Sequence, residues 1–144
     1  MTHTSGFDAP IDVVITDTGV RAYPPLEPFD PPERYPELPA GIERTDPANA
    51  VYHGVRETLR SLGFDVYRYG TAEWNPLGVL IRPGDRVVVK PNMVRDFHGA
   101  SLGLDGLVTH GSIVRAILDY VVIALKGEGE IDRAAINASL QKLK

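Results

Sequence analysis

The chain has 144 residues and a formal net charge of −4 at pH 7, with apolar and charged fractions ordinary for a globular protein, so it holds at most one modest domain. The acidic balance, with no Lys/Arg cluster, excludes the electrostatic footprint of a nucleic-acid-binding surface. The absence of cysteine excludes disulfides, thiolate zinc sites, a cysteine nucleophile and cysteine-ligated iron–sulfur clusters within the chain.

The polar opening MTHTSGFDAP lacks the basic start and apolar core of a signal peptide. The longest apolar candidate, Ile113 to Leu125, is shorter than the ~18 residues a membrane helix requires and is interrupted by Arg115, Asp119 and Tyr120. A cytoplasmic protein with no membrane partner is expected. Charge is uneven: residues 1–50 carry most of the acidic excess, and the remainder is close to balanced.

Ile11 to Thr16 is a β-branched run and reads as a short strand, turned by Asp17-Thr18-Gly19. Tyr23 to Pro39 then carries seven of the twelve prolines, which forbids helix interior and central strand and favours an extended backbone. Tyr23, Leu26, Phe29, Tyr35 and Leu38 make this stretch richer in large apolar groups than a linker, so it is expected to pack as an arm over a body. Residues 1–45 therefore form an extended proline-rich arm with one short strand.

The core is expected over residues 46–131. Asp46 reads as an N-cap with Pro47 at the first helical position. Val51, Val55, Leu59 and Leu62 recur at helical spacing, and Gly63 closes the helix. Phe64 to Tyr67 reads as a short strand, and Trp74 in the next loop as a packing anchor. The organising stretch is Val79 to Val94. An Arg82–Asp85 turn leads into Arg86–Lys90, whose Val87-Val88-Val89 run is apolar on both faces, as in a strand buried within a sheet. Residues 95–108 read as a long loop. A second helix is expected from Gly111 to Lys126, with Ile113, Ile117, Tyr120, Val121 and Leu125 on its buried face and Gly127 and Gly129 after it. Residues 132–144 read as a last polar helix with a thin apolar stripe.

Strands alternating with helices point to an α/β fold, in which ligands bind at the carboxyl ends of parallel strands. Lys90 and Asn92 sit at such an end. A lysine there holds a phosphate or carboxylate as a point charge, or acts as a base or Schiff-base amine when desolvated. Asp96 and His98 in the following loop, with His110, are enough for a metal site with open positions, the metal itself being undetermined. Thr109-His110-Gly111-Ser112 opens the second helix and offers an anion site capped by Thr109 or Ser112. Lys90, Asn92, His110 and Arg115 converge if the strand end lies over the helix start.

Four ordered strings carry a family resemblance: YPPLEPFDPPERYPEL, AVYHGVRETL, YGTAEWNPLGVLIRPGDRVVVKPNMV and VTHGSIVRAILDYVVIALKGEGEI. Over roughly residues 20–131 the chain resembles the bacterial and archaeal domain of unknown function family 362, in the subgroup often encoded near surface-polysaccharide genes. The family's Lys-Pro-Asn strand end falls on Lys90, Pro91 and Asn92. Its Thr-His helix start falls on Thr109 and His110, followed by Arg115 and Asp119-Tyr120. A more distant likeness to the N-terminal half of lactate racemase-type proteins implies a partial Rossmann-like three-layer domain with a short, mostly parallel sheet. The resemblance implies an enzyme-derived domain acting on an anionic or sugar-linked substrate, with Lys90, Asp96 and His98 as catalytic groups. Asn92, Thr109, His110 and Arg115 would bind the substrate. It also implies a further strand with a Gly-Asp-Ala-Pro type motif beyond Ile131, where this chain reads DRAAINASLQKLK. A truncated product or one half of a split protein is thus expected, with a complementary C-terminal half or self-association covering the second helix. The alternative is a non-catalytic remnant or binding module.

Overall fold

The structure is a computed structural model and describes residues 13–25, 27–92 and 107–126. Two α-helices frame it: α1, Ala50–Ser61, and α2, Gly111–Ala124. Two short 3-10 turns, Val66–Arg68 and Pro76–Val79, lie between them in the chain. α1 packs on α2, and α2 packs on the second turn.

Asn49, rather than Asp46, caps α1. Its side-chain oxygen accepts from the Tyr52 N–H at 3.1 Å. Its amide group donates to the carbonyls of Phe29 at 3.1 Å and Asp30 at 2.8 Å, both in the proline-rich arm. An amide can do both at once, whereas a carboxylate at position 46 can only accept. Asp46 instead takes the Ala48 N–H at 3.1 Å in the turn before the helix. At the other end Gly63 adopts φ +78°, its N–H reaches the Arg60 carbonyl at 2.9 Å, and the Phe64 N–H reaches Leu59 at 3.3 Å. This Schellman arrangement satisfies two orphan carbonyls and turns Phe64 back onto the core.

α2 buries Tyr120, Val121 and Leu125 as expected, but the rest of its buried face differs. Ser112, Ala116, Tyr120 and Ala124 recur every four residues and are buried together with Val121, while Ile113 and Ile117 are only half-buried. Periodicity favours the bulky aliphatics. Here the small side chains instead form a flat surface on which the large rings of the other elements lie. Trp74 is fully buried, with its ring centre 5.4 Å from that of Tyr120 at a steep angle. Tyr52, Leu59, Leu77 and the arm residues Tyr35 and Leu38 complete the core. Phe29 is also buried, Tyr23 is half-buried, and Leu26 lies outside the described residues.

The expectation of an α/β, Rossmann-like domain is overturned: among the described residues there is no strand and no sheet. Phe64–Tyr67 is a turn, with Asp65 at φ +51° leading into the 3-10 segment. Arg86–Lys90 is extended but forms no ladder, and Val88 is 89% exposed. Val13 to Thr16 is likewise extended and unpaired, with Val13 78% and Ile15 92% exposed. A β-branched string becomes a strand only when a neighbour supplies hydrogen bonds, and neither string supplies them to the other. Ile11, residues 127–131 and the expected last helix over 132–144 lie outside the described residues.

The buried phenols make the fold sensitive to alkali. Burial, helped by Glu33, raises the Tyr35 hydroxyl from 10.0 to about 12. Burial raises Tyr52, Tyr120 and Tyr69 too, reinforced by Asp119, Glu37 and the Glu57 hydrogen bond respectively. Because the folded values lie above the unfolded value near 10, the stability these groups contribute is complete below that pH and is lost as pH rises beyond it. We expect cooperative unfolding above about pH 10, with tyrosinate absorbance and loss of helical circular dichroism rising together. Four phenols titrating near 10 with the helices intact would contradict this assignment of buried, neutral tyrosines.

Candidate functional site

The extended segment ending at Asn92 is clasped to the start of α2. The Thr109 N–H donates to the Asn92 carbonyl at 2.8 Å, and the Asn92 N–H donates to Thr109 Oγ1 at 2.9 Å. The end of this segment therefore meets the approach to α2 through a clasp and not through a sheet. Thr109 is consequently not the helix cap. His110 is: its Nδ1 accepts from the Ser112 N–H at 3.2 Å and lies 2.9 Å from Ser112 Oγ. With Nδ1 accepting, the neutral ring carries its proton on Nε2. The imidazole stacks on Tyr23 at 4.3 Å between centres and meets the edge of Phe29 at 5.2 Å. The arm thus covers the helix start that was expected to face an anion.

Arg115 is committed elsewhere. Its Nε donates to both Asp119 oxygens at 3.0 and 3.1 Å, and its Nη1 donates to the Pro28 carbonyl at 3.0 Å and lies 3.6 Å from Asp30. Asp119 in turn accepts from the Tyr52 hydroxyl at 2.8 Å. Burial raises the Asp119 carboxyl above its ordinary value even against the opposing pull of Arg115. This cluster joins arm, α1 and α2, with the Arg115 side chain 24% exposed. Lys90 is exposed, beside the clasp in sequence. Asp96 and His98 lie outside the described residues. Among the described residues no group of three or more His, Asp or Glu side chains is placed to hold a metal ion.

A concave feature of the body adjoins the start of α2 through Tyr23 and Ile113. Residues 16–23 run across α1 and α2 and roof a cleft of about 550 Å³. Val51, Val55 and Leu59 of α1 and Ile113 and Ile117 of α2 form its apolar walls. The half-buried aliphatic face of α2 thus opens onto this space. Thr16, Thr18 and Thr58 bring hydroxyls, and the exposed Arg21 borders it. The roof is tied down by a 2.7 Å hydrogen bond between the Thr16 and Thr58 hydroxyls. Thr18 Cγ2 lies 2.5 Å from the position a Cβ would take at Gly54, so any larger residue there would push the roof away. That volume is within the range of small-molecule sites. Arg21 forms no ion pair among the described residues, in contrast to Arg56, Arg60, Arg68 and Arg115.

None of the cleft residues stood out in the sequence as a site. The available signal was Gly54, a glycine in mid-helix. Such a residue costs about 1 kcal/mol relative to alanine and so implies a close approach by another segment.

No family model, curated protein or solved structure matches the chain. Among the described residues no helix is long and apolar enough to cross a membrane.

Proposed function

We propose that the chain is a binding module for an anionic amphiphile, whose apolar body lies in the cleft and whose charged group meets Arg21. The observation that carries this reading is the combination of apolar walls with a guanidinium that has no acidic partner among the described residues. Burial of an alkyl or prenyl body against Val55, Ile113 and Ile117 supplies the non-directional part of the affinity. The arginine and the Thr18 hydroxyl supply orientation. The resemblance to family 362 supports the same ligand class, an anionic or sugar-linked molecule.

Calorimetric titration with dodecyl phosphate, against dodecanol as the uncharged control, tests this. The wild-type chain is expected to bind the phosphate more tightly than the alcohol. Arg21→Glu should remove that preference, and Val55→Phe should abolish binding of both while the unfolding temperature is kept. Equal binding of the two ligands before and after Arg21→Glu would refute the anionic assignment. Full binding in Val55→Phe would refute the cleft.

A second reading, an enzyme-derived site with Lys90 and Asn92 anchoring the anion, is favoured by the Asn92–Thr109 clasp, which brings that segment to the start of α2. The same titration separates the two: Lys90→Ala weakens phosphate binding under the second reading and leaves it unchanged under the first.

A further inference from the structure

Two strings in this chain have the side chains of strands and no strand partner among the described residues. Residues 86–91 make no backbone hydrogen bond among the described residues. Val88 projects outward, 89% exposed, while Val89 packs on the core. Residues 13–16 show the same alternation, with Val13 and Ile15 exposed and Val14 and Thr16 half-buried.

Both strings are tied to the body beside them, the first at both ends and the second at its C-terminal end. The first is fixed at one end by the Arg82–Asp85 turn, where the Asp85 N–H meets the Arg82 carbonyl at 3.0 Å and the Arg82 N–H meets Asp85 Oδ2 at 2.8 Å. At its other end it is fixed by the Asn92–Thr109 clasp. The second is fixed by Thr16 on Thr58 and by the Gly19 N–H on Asp17 Oδ1 at 2.8 Å. An edge that is already ordered loses little conformational entropy when a strand is added to it.

Their flanking charges are opposite. Arg86 and Lys90 bracket the three valines of one string, and Asp12 and Asp17 bracket the Val-Val-Ile-Thr of the other. Within one chain each string is already tied to its own surroundings and the two do not pair.

We propose that they pair between two copies of the chain: residues 13–16 of one copy add as a strand to residues 86–90 of the other, and reciprocally. Reciprocal pairing uses both exposed edges of each copy and closes as a two-fold dimer. In the antiparallel register that sets Ile15 opposite Val88, it gives partners to the N–H and C=O groups left open among the described residues, covers Val13, Ile15 and Val88, and sets Asp17 opposite Arg86. The inference is independent of the cleft and its ligand.

The cysteine-free chain allows a clean test. The variants Ile15→Cys and Val88→Cys are mixed in equal amounts and mildly oxidised, and the wild-type mass is followed by light scattering over a range of concentrations. The expected result is a concentration-dependent dimer, with the mixed disulfide between the two variants outweighing either like-with-like disulfide. Ile15→Lys and Val88→Lys should each return the chain to monomer while Trp74 fluorescence stays that of the folded body. A wild-type chain that remains monomeric at every concentration overturns the proposal. So does a disulfide that forms within one chain in the Ile15→Cys/Val88→Cys double variant. A monomer that takes up an added valine-rich peptide would show the edge serving a foreign strand, and would overturn the assignment to a second copy.

Discussion

Replacing Glu37 with alanine is expected to lower the unfolding free energy by about 3–5 kcal/mol, the range for leaving a buried charge without its partner. Glu37 is a second point at which the arm is joined to both helices. Its Oε1 accepts from Arg56 Nε of α1 at 2.7 Å and from the Tyr120 hydroxyl of α2 at 3.1 Å, and its Oε2 accepts from Arg56 Nη2 at 3.3 Å. The carboxylate side chain is fully buried and the guanidinium is 6% exposed. The guanidinium carbon also lies 4.2 Å from the ring centres of Tyr35 and Tyr69 and 5.1 Å from that of Trp74, and Arg56 Nη1 donates to the Tyr69 hydroxyl. Burial by itself disfavours the arginine charge, but Glu37 outweighs it and holds the guanidinium pKa above its ordinary value. With the carboxylate gone, the guanidinium in its aromatic box keeps only the more distant, partly exposed Glu57 carboxylate, 3.9 Å from Nη1. Glu37→Gln keeps acceptors for Tyr120 and should cost less than alanine. The double change Glu37→Leu/Arg56→Met removes both charges and should recover much of the loss, because the desolvation of both ions is avoided together. Urea midpoints followed by tryptophan fluorescence report all three variants. A loss under about 1 kcal/mol for Glu37→Ala would show that the pair is no stronger than a surface one.

Trp74→Ala is expected to cost about 3–5 kcal/mol, the range for removing a large aromatic from a packed core. The side chain is fully buried, and its Nε1 donates to the Phe64 carbonyl at 3.1 Å. Its ring meets Tyr69 at 5.0 Å and Tyr120 at 5.4 Å, both at steep angles that set ring edges against ring faces. Alanine would open a cavity beneath α2, leave the Phe64 carbonyl without its donor and strip one ring from around Arg56. Trp74→Phe should retain most of the packing and lose the hydrogen bond, a smaller change of about 1–2 kcal/mol. Because the chain has a single tryptophan, the variants are followed by helical circular dichroism. If Trp74→Ala unfolds at the wild-type urea midpoint, the ring is not the centre of the core.

The sequence by itself determined the two helices and the role of the arm's large side chains. Apolar recurrence at helical spacing is a local property, and so is the left-handed glycine that ends α1 at Gly63. An arm with Phe29, Tyr35 and Leu38 among its prolines carries its packing surface in its composition. Everything that depended on a distant partner was decided by tertiary structure. Asn49 caps α1 in preference to Asp46 because its amide also reaches two arm carbonyls. α2 turns its small residues inward because Trp74 and Tyr52 need a flat surface to lie on. Arg56, a charged residue on a helix face, is buried because Glu37 arrives from nineteen positions away in the sequence. Lys90 and Asn92 lie at the end of a segment that makes no sheet among the described residues, and the cleft arises where residues 16–23 cross two helices. The failed reading of Arg86–Lys90 as a central strand has the same cause. A helix closes its hydrogen bonds within its own few turns, whereas a strand is defined by its neighbour, and a β-branched run specifies the capacity for pairing without supplying the partner.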